Sequence, residues 1–244
     1  MDTPRHGEML QVKRWLRRAE HLRNAGEYDR SEILFARIFS AMSDHGDKTH
    51  AAYYYPRACH QLALTRAAQG QVEDAIRLVI MAIKSFDQDN HLGRGRAART
   101  HGWLLYRQGE VSRALREFDK ARTQLNLDQQ HSNTKRQREM LITDGLRAFC
   151  DPEFSRQDKL ATMQRVDAFL RDGPKWGEEL SNLERMIPML TAVDRPFYMV
   201  RAAQLRRRIM IREDLRVLVD DITNREPAAA IRFGWRLARH AFIL

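Results

Sequence analysis

Apolar residues recur every three or four positions through most of the chain, and short interruptions cut that pattern into successive amphipathic helices. Three of the interruptions are glycines: Gly26, Gly70 and Gly109. Each closes one helix, and a second begins within a few residues, which predicts three tight antiparallel helix pairs. Around these glycines the same kinds of residue return at matching offsets. A small residue precedes the turn at Ala19, Ala63 and Gly102, and another follows it at Ser31, Ala75 and Ala114. Large apolar residues come next at Phe35, Val79 and Phe118, then Ile38, Ala82 and Ala121. Trp15, Leu22 and Tyr28 complete the first set, Cys59 the second and Leu105 the third. The small residues are expected where paired helices approach closely, Gly102 against Ala114 and Ala63 against Ala75. Phe35 and Phe118 are expected to wedge against the next pair.

From residue 132 the helices continue while the pattern decays. Segments 135–149 and 155–171 read as a degenerate fourth pair, with Gly145 at the place of the small residue and the run around Pro152 as its turn. "RDGPKWG" is a break in which Pro174 can start the next helix. Helices are predicted over 175–190 and 196–222, and "NREP" separates these from a last one over 228–242. "YYYP" at 53–56 reads as a helix start packing on the preceding pair, because adjacent tyrosines cannot all face one way.

This constellation of small, glycine and aromatic positions resembles the tetratricopeptide repeat, in a long variant of about 40 residues, because the turn glycines stand 44 and 39 apart against roughly 34 in the family pattern. The resemblance covers residues 11–127. It implies an all-α, right-handed α-solenoid of antiparallel helix pairs. Residues 8–130 would form the repeats and 131–244 a degenerate repeat with a helical cap, because terminal repeats of a stack are atypical. It also implies that the first helix of each pair lines a concave face. Carried over residue by residue, that face takes Lys13, Leu16, Arg17, Glu20, Arg23 and Asn24 from the first repeat. The second gives Arg57, His60, Gln61 and Leu64, and the third Arg96, Arg99, Thr100, Trp103, Tyr106 and Arg107. Such a set is cationic with aromatic anchors and suits an acidic, extended protein segment. The family's clamp for chaperone tails, with Lys and Asn at fixed places, is not reproduced: Leu16, Glu20, Gln61, Arg96 and Thr100 stand there.

Charge sharpens the choice of partner. The chain carries a net charge of +10, with 35 Arg against 7 Lys. Guanidinium forks bind carboxylates and phosphates bidentately, although the codon bias of a GC-rich genome would give the same skew. A nucleic-acid-binding protein is therefore the alternative, with Arg206, Arg207 and Arg208 as a candidate phosphate patch. On a helix these three splay around the circumference, so a solvated face is the plainer reading. The last helix places Ile231, Trp235, Ala238 and Phe242 on one face and Arg232, Arg236 and Arg239 on another. Core docking or a homodimer through the C-terminal helices is the expectation there, ahead of membrane binding.

No chemistry emerges from the motifs. Cys59 and Cys150 lie outside any C-x-x-C spacing, and His45 and His50 share a loop without a third ligand. "DQDNHLG" has its glycine one place late for a calcium loop, and Ala98 stands where a bidentate Glu is needed. No glycine-rich phosphate loop or nucleophile elbow occurs. The expectation is a noncatalytic adaptor, scaffold or regulatory subunit with no metal and no cofactor. A secretory leader and long apolar runs are missing from the sequence, so a cytoplasmic location is expected.

Overall fold

The computed structural model describes residues 3–44, 48–171, 176–190, 192 and 195–223. Within them the chain forms ten α-helices and no strand. They are α1 (Thr3–Asn24), α2 (Tyr28–Asp44), α3 (Lys48–Ala68), α4 (Val72–Ser85), α5 (His91–Arg107), α6 (Val111–Leu127), α7 (Asn133–Cys150), α8 (Arg156–Leu170), α9 (Trp176–Met186) and α10 (Arg195–Thr223). A short 3₁₀ turn, Ile187–Met189, follows α9. The predicted last helix over 228–242, Pro174 and the histidine-bearing loop at 45–47 lie outside the described residues.

Three identical turns make the pairs. Gly26, Gly70 and Gly109 have φ of +79°, +83° and +83°, a left-handed conformation that costs an L side chain about 1–2 kcal/mol. In each turn the amide after the glycine donates back across it: Glu27 to the Leu22 carbonyl at 2.8 Å, Gln71 to Arg66 at 2.9 Å and Glu110 to Leu105 at 2.9 Å. The glycine amides donate to Arg23, Ala67 and Tyr106. That is the Schellman pattern, and it satisfies carbonyls the ending helix leaves without partners.

Close packing within a pair explains the small residues. A Cβ on Gly102 would lie 3.0 Å from the Ala114 carbonyl oxygen and 3.0 Å from the Phe118 ring. Ala63 and Ala75 share a cluster with Val79 and Leu104, all buried. In the first pair Ser31 occupies the equivalent place, and its hydroxyl donates to the Ala19 carbonyl at 2.8 Å. Phe35 and Phe118 are wholly buried; truncating a side chain of that kind to alanine costs about 3–5 kcal/mol.

The fourth pair, α7 and α8, keeps the rule without the glycine turn. Asp151 ends α7 in an extended conformation and its carboxylate accepts from the Glu153 amide at 3.0 Å. Gly145 faces α8, where its Cβ would lie 3.0 Å from Val166. One prediction needs correcting. Pro56 is not near a helix start, because α3 begins at Lys48 and the proline sits inside it. Its ring nitrogen cannot donate to the carbonyl four residues back, which removes one helical bond there. Tyr55 packs on Phe39 of α2 with ring centroids 5.7 Å apart, while Tyr53 stays exposed.

Curvature follows from which helices touch. The first helices of successive pairs meet one another, α1 with α3, α3 with α5, α5 with α7 and α7 with α9. The second helices splay on the outside, and the stack bends toward the first-helix side as a right-handed α-solenoid. Helix α10 then departs from the repeat plan. Its 29 residues span about 43 Å at 1.5 Å per residue. Ala202 and Leu205 pack with Met163, Leu183, Met186 and Leu190 at one end, and Val217 joins Val12, Ala19 and Leu22 of α1 at the other. The two ends of the stack are therefore bridged by α10.

Candidate partner-binding site

The concave side is built from polar residues on α1, α3, α5, α7 and α9, and most of them face a neighbouring first helix. Arg23 of α1 donates to the side-chain oxygen of Gln61 on α3. His60 of α3 meets Thr100 of α5 at 2.9 Å. Arg107 of α5 reaches back to the Ala67 carbonyl at 3.1 Å, at the end of α3. Arg96 and Arg99 of α5 converge on Glu139 of α7, Arg99 Nη1 lying 2.8 Å from Oε2 and Arg96 bonding the other oxygen. Sequence offsets assign these residues to one face. The stacking makes them a lateral network joining successive repeats.

Electrostatics at the centre of the face are positive. Burial pushes His60 down to about 3, and Arg99, Arg23 and Arg96 push in the same direction while Glu139 opposes them. Burial alone would raise the Glu139 carboxyl, but Arg99 and Arg96 outweigh it and hold the group at about 2. The imidazole is thus neutral and the carboxylate charged at neutral pH. Arg57 lies over the Tyr53 ring at 3.5 Å and donates to the Tyr53 carbonyl. Lys13 and Arg17 are exposed on α1. Leu16, expected on the open face, instead packs against the apolar cluster that Val12, Leu22 and, from α10, Val217 share.

An aromatic platform adjoins this cluster. Trp103 and Tyr106 stack with centroids 5.6 Å apart and planes 23° from parallel, and Phe149 of α7 meets both. Arg185 of α9 lies over Trp103, its guanidinium carbon 4.6 Å from the ring centroid. Sequence reasoning missed Arg185 and Glu139. Both lie beyond the recognisable repeats, so no family offset points to them. Their signal was the helical spacing of α7 and α9, which places them on the faces that continue the stack.

The three adjacent arginines of α10 go different ways. Arg206 pairs with Glu184 of α9 at 2.9 Å, Arg207 is half-buried, and Arg208 lines an open groove of about 610 Å³ with His21, Ile211, Leu215 and Val219. They do not converge on one point. Elsewhere, Arg201 of α10 bridges Asp167 of α8 at 2.9 Å and Glu179 of α9, docking that helix to the stack. Among the described residues no cluster of His, Cys, Asp and Glu could hold a metal ion, and no helix is long and apolar enough to cross a membrane. Burial raises both thiols, Cys59 to about 11 and Cys150 to about 12, which disfavours the reactive thiolate at neutral pH.

A crystal structure of BtubC (BKLC) from P. vanneervenii superposes on the chain with a TM-score of 0.51, covering 85% of this chain and 91% of that one at 12% identity. The fold is a tetratricopeptide-like helical-repeat solenoid. The solenoid also matches a crystal structure of nearly identical TPR-like repeats of a putative kinesin light chain from Podosopora anserina, at 14% identity and a TM-score of 0.46, over 83% of this chain and 96% of that one. No family model and no curated protein matches the sequence. The likeness concerns backbone architecture, and the side chains that line the solenoid's concave side are this chain's own.

Proposed function

We propose that the protein is a noncatalytic interaction module, an adaptor, scaffold or regulatory subunit, that holds an acidic protein segment against its concave face. The observation that carries this reading is the excess of cations there. Arg23, Arg96 and Arg99 gather around His60, Arg185 lies within reach of the charge of Arg99, and Glu139 is the carboxylate that directly pairs with Arg96 and Arg99. Exposed Lys13 and Arg17 extend the positive field along α1, and Trp103 and Tyr106 add an apolar surface of the kind that anchors peptide side chains. Solenoids of this type present extended concave surfaces, and the polar side chains here hold their positions through bonds between helices.

The test uses the full chain and a fluorescein-labelled 16-residue peptide of alternating Asp and Leu, followed by anisotropy. Binding that weakens as salt rises, and that falls at least fivefold when Arg17 and Arg57 are both replaced by Glu, is the expected result. Equal binding of a Lys and Leu peptide, or no binding of the acidic one at low salt, sinks the assignment. Tight binding of a single-stranded oligonucleotide in place of the peptide would transfer it to the nucleic-acid alternative.

A further inference from the structure

Resting on that concave-face reading, we propose that Arg185 is the anchor of the site: a guanidinium held over Trp103 to take one carboxylate of the bound acidic segment. Arg185 is half-buried on α9, its guanidinium carbon 4.6 Å over the Trp103 ring, and Nη2 donates to the Ser181 hydroxyl at 2.8 Å. No carboxylate among the described residues forms an ion pair with it. This sets it apart from the neighbouring cations. Arg96 and Arg99 share Glu139, Arg201 joins Asp167 and Glu179, and Arg206 takes Glu184.

A partly dry cation that lacks an ion-pair partner among the described residues is costly, and a bound carboxylate would offset that cost. Burial and the nearby charge of Arg99 push the group down to about 10, against the raising influence of Cys150 and Glu184. It remains charged at neutral pH. The Ser181 bond engages Nη2, and the remaining N–H donors of the fork match the oxygens of a carboxylate. Trp103 is itself braced by Tyr106 and Phe149, so the fork rests on a rigid platform shared by α5 and α7. One guanidinium with no ion-pair partner among the described residues matches one negative charge. A phosphate would call for a second cation, and Arg99, the cation whose charge Arg185 feels, is already bonded to Glu139.

The experiment compares wild type with Arg185→Met, which keeps the apolar stem, and Arg185→Lys, which keeps the charge without the fork. The probes are the Asp and Leu peptide, its Asn and Leu isostere, and a form with the aspartates replaced by phosphoserine. The acidic peptide is expected to bind about tenfold more weakly to Arg185→Met, with only partial recovery in Arg185→Lys, and the isostere to bind both proteins equally weakly. Thermal melting of Arg185→Met without peptide should be unchanged or raised, since removing an uncompensated cation relieves a cost. If wild type and Arg185→Met bind the acidic peptide alike, the anchor is wrong while the concave-face reading stands. If the peptide binds neither, both fall. Tenfold tighter binding of the phosphoserine peptide overturns the choice of carboxylate, and a lowered melting point in Arg185→Met assigns the residue a structural role instead.

Discussion

Arg99 on α5 and Glu139 on α7 form an ion pair at 2.8 Å across two consecutive repeats, with the carboxylate 1% exposed and Arg96 on its other oxygen. One acid thereby ties down two of the cations that the sequence offered as ligand contacts. Replacing Glu139 by Ala leaves both guanidiniums without their counter-charge in a half-buried place, and the loss of an ion-pair partner in such a setting costs about 3–5 kcal/mol. Urea denaturation should show that loss; a change below about 1 kcal/mol would mean that the pair is well solvated. The same geometry makes Arg99 a poor position for testing ligand binding, because its replacement disturbs the fold as well.

Acid sensitivity follows from the same cluster. His60 is held down at about 3, so below its unfolded value of roughly 6.5 the unfolded chain takes up a proton that the folded chain refuses. Stability is full above about pH 6.5 and falls as pH drops toward 3. Glu139, depressed from 4.5 to about 2, adds a second loss of about 3 kcal/mol between those values, again on the acid side. Denaturation midpoints measured from pH 8 to pH 4 should decline starting near 6.5, and His60→Gln should remove that first phase.

Gly102 is a site where added volume has nowhere to go. A Cβ there meets the Ala114 carbonyl oxygen and the buried Phe118 ring, both at 3.0 Å. Gly102→Val should destabilise by about 1–3 kcal/mol, as overpacking of a close helix pair does. Gly109→Ala meets no atom, yet its φ of +83° should cost about 1 kcal/mol. Chemical denaturation of the two variants separates crowding from backbone strain, because Gly102→Ser should fall between wild type and Gly102→Val while Gly109→Asn should recover much of the loss.

Arg201→Met should loosen α10. It strands Glu179, 3% exposed, and leaves Asp167, 2% exposed, with Arg171 as its remaining partner at 3.0 Å, in the joint between α8, α9 and α10. Hydrogen exchange over 195–219 is expected to quicken while α3 to α6 keep their protection. Uniform protection across the chain would show that apolar packing alone docks the helix.

The thiols offer a check on packing. Cys59 and Cys150 are 1% and 3% exposed and are raised by burial, so a thiol reagent should modify them only as fast as the chain opens. Rapid labelling in native buffer would contradict the buried environment of both.

The helix pairs were legible in the sequence because their determinants are local. Gly26, Gly70 and Gly109 each impose a backbone conformation within one turn, and Ala19, Ala63 and Gly102 set how near a helix can come to the one that follows it. The fourth pair was legible through periodicity and Gly145, while Pro56 misled because a proline inside a helix and one at its start look alike without the flanking bonds. What Arg23, His60, Arg96 and Arg99 do could not be read from their offsets. An offset fixes the face a residue occupies, whereas its partner depends on how successive pairs rotate when they stack. Glu139, Arg185 and the return of α10 to α1 belong to that second class: each joins positions dozens of residues apart, and only the superhelical packing brings them within a few ångströms of one another.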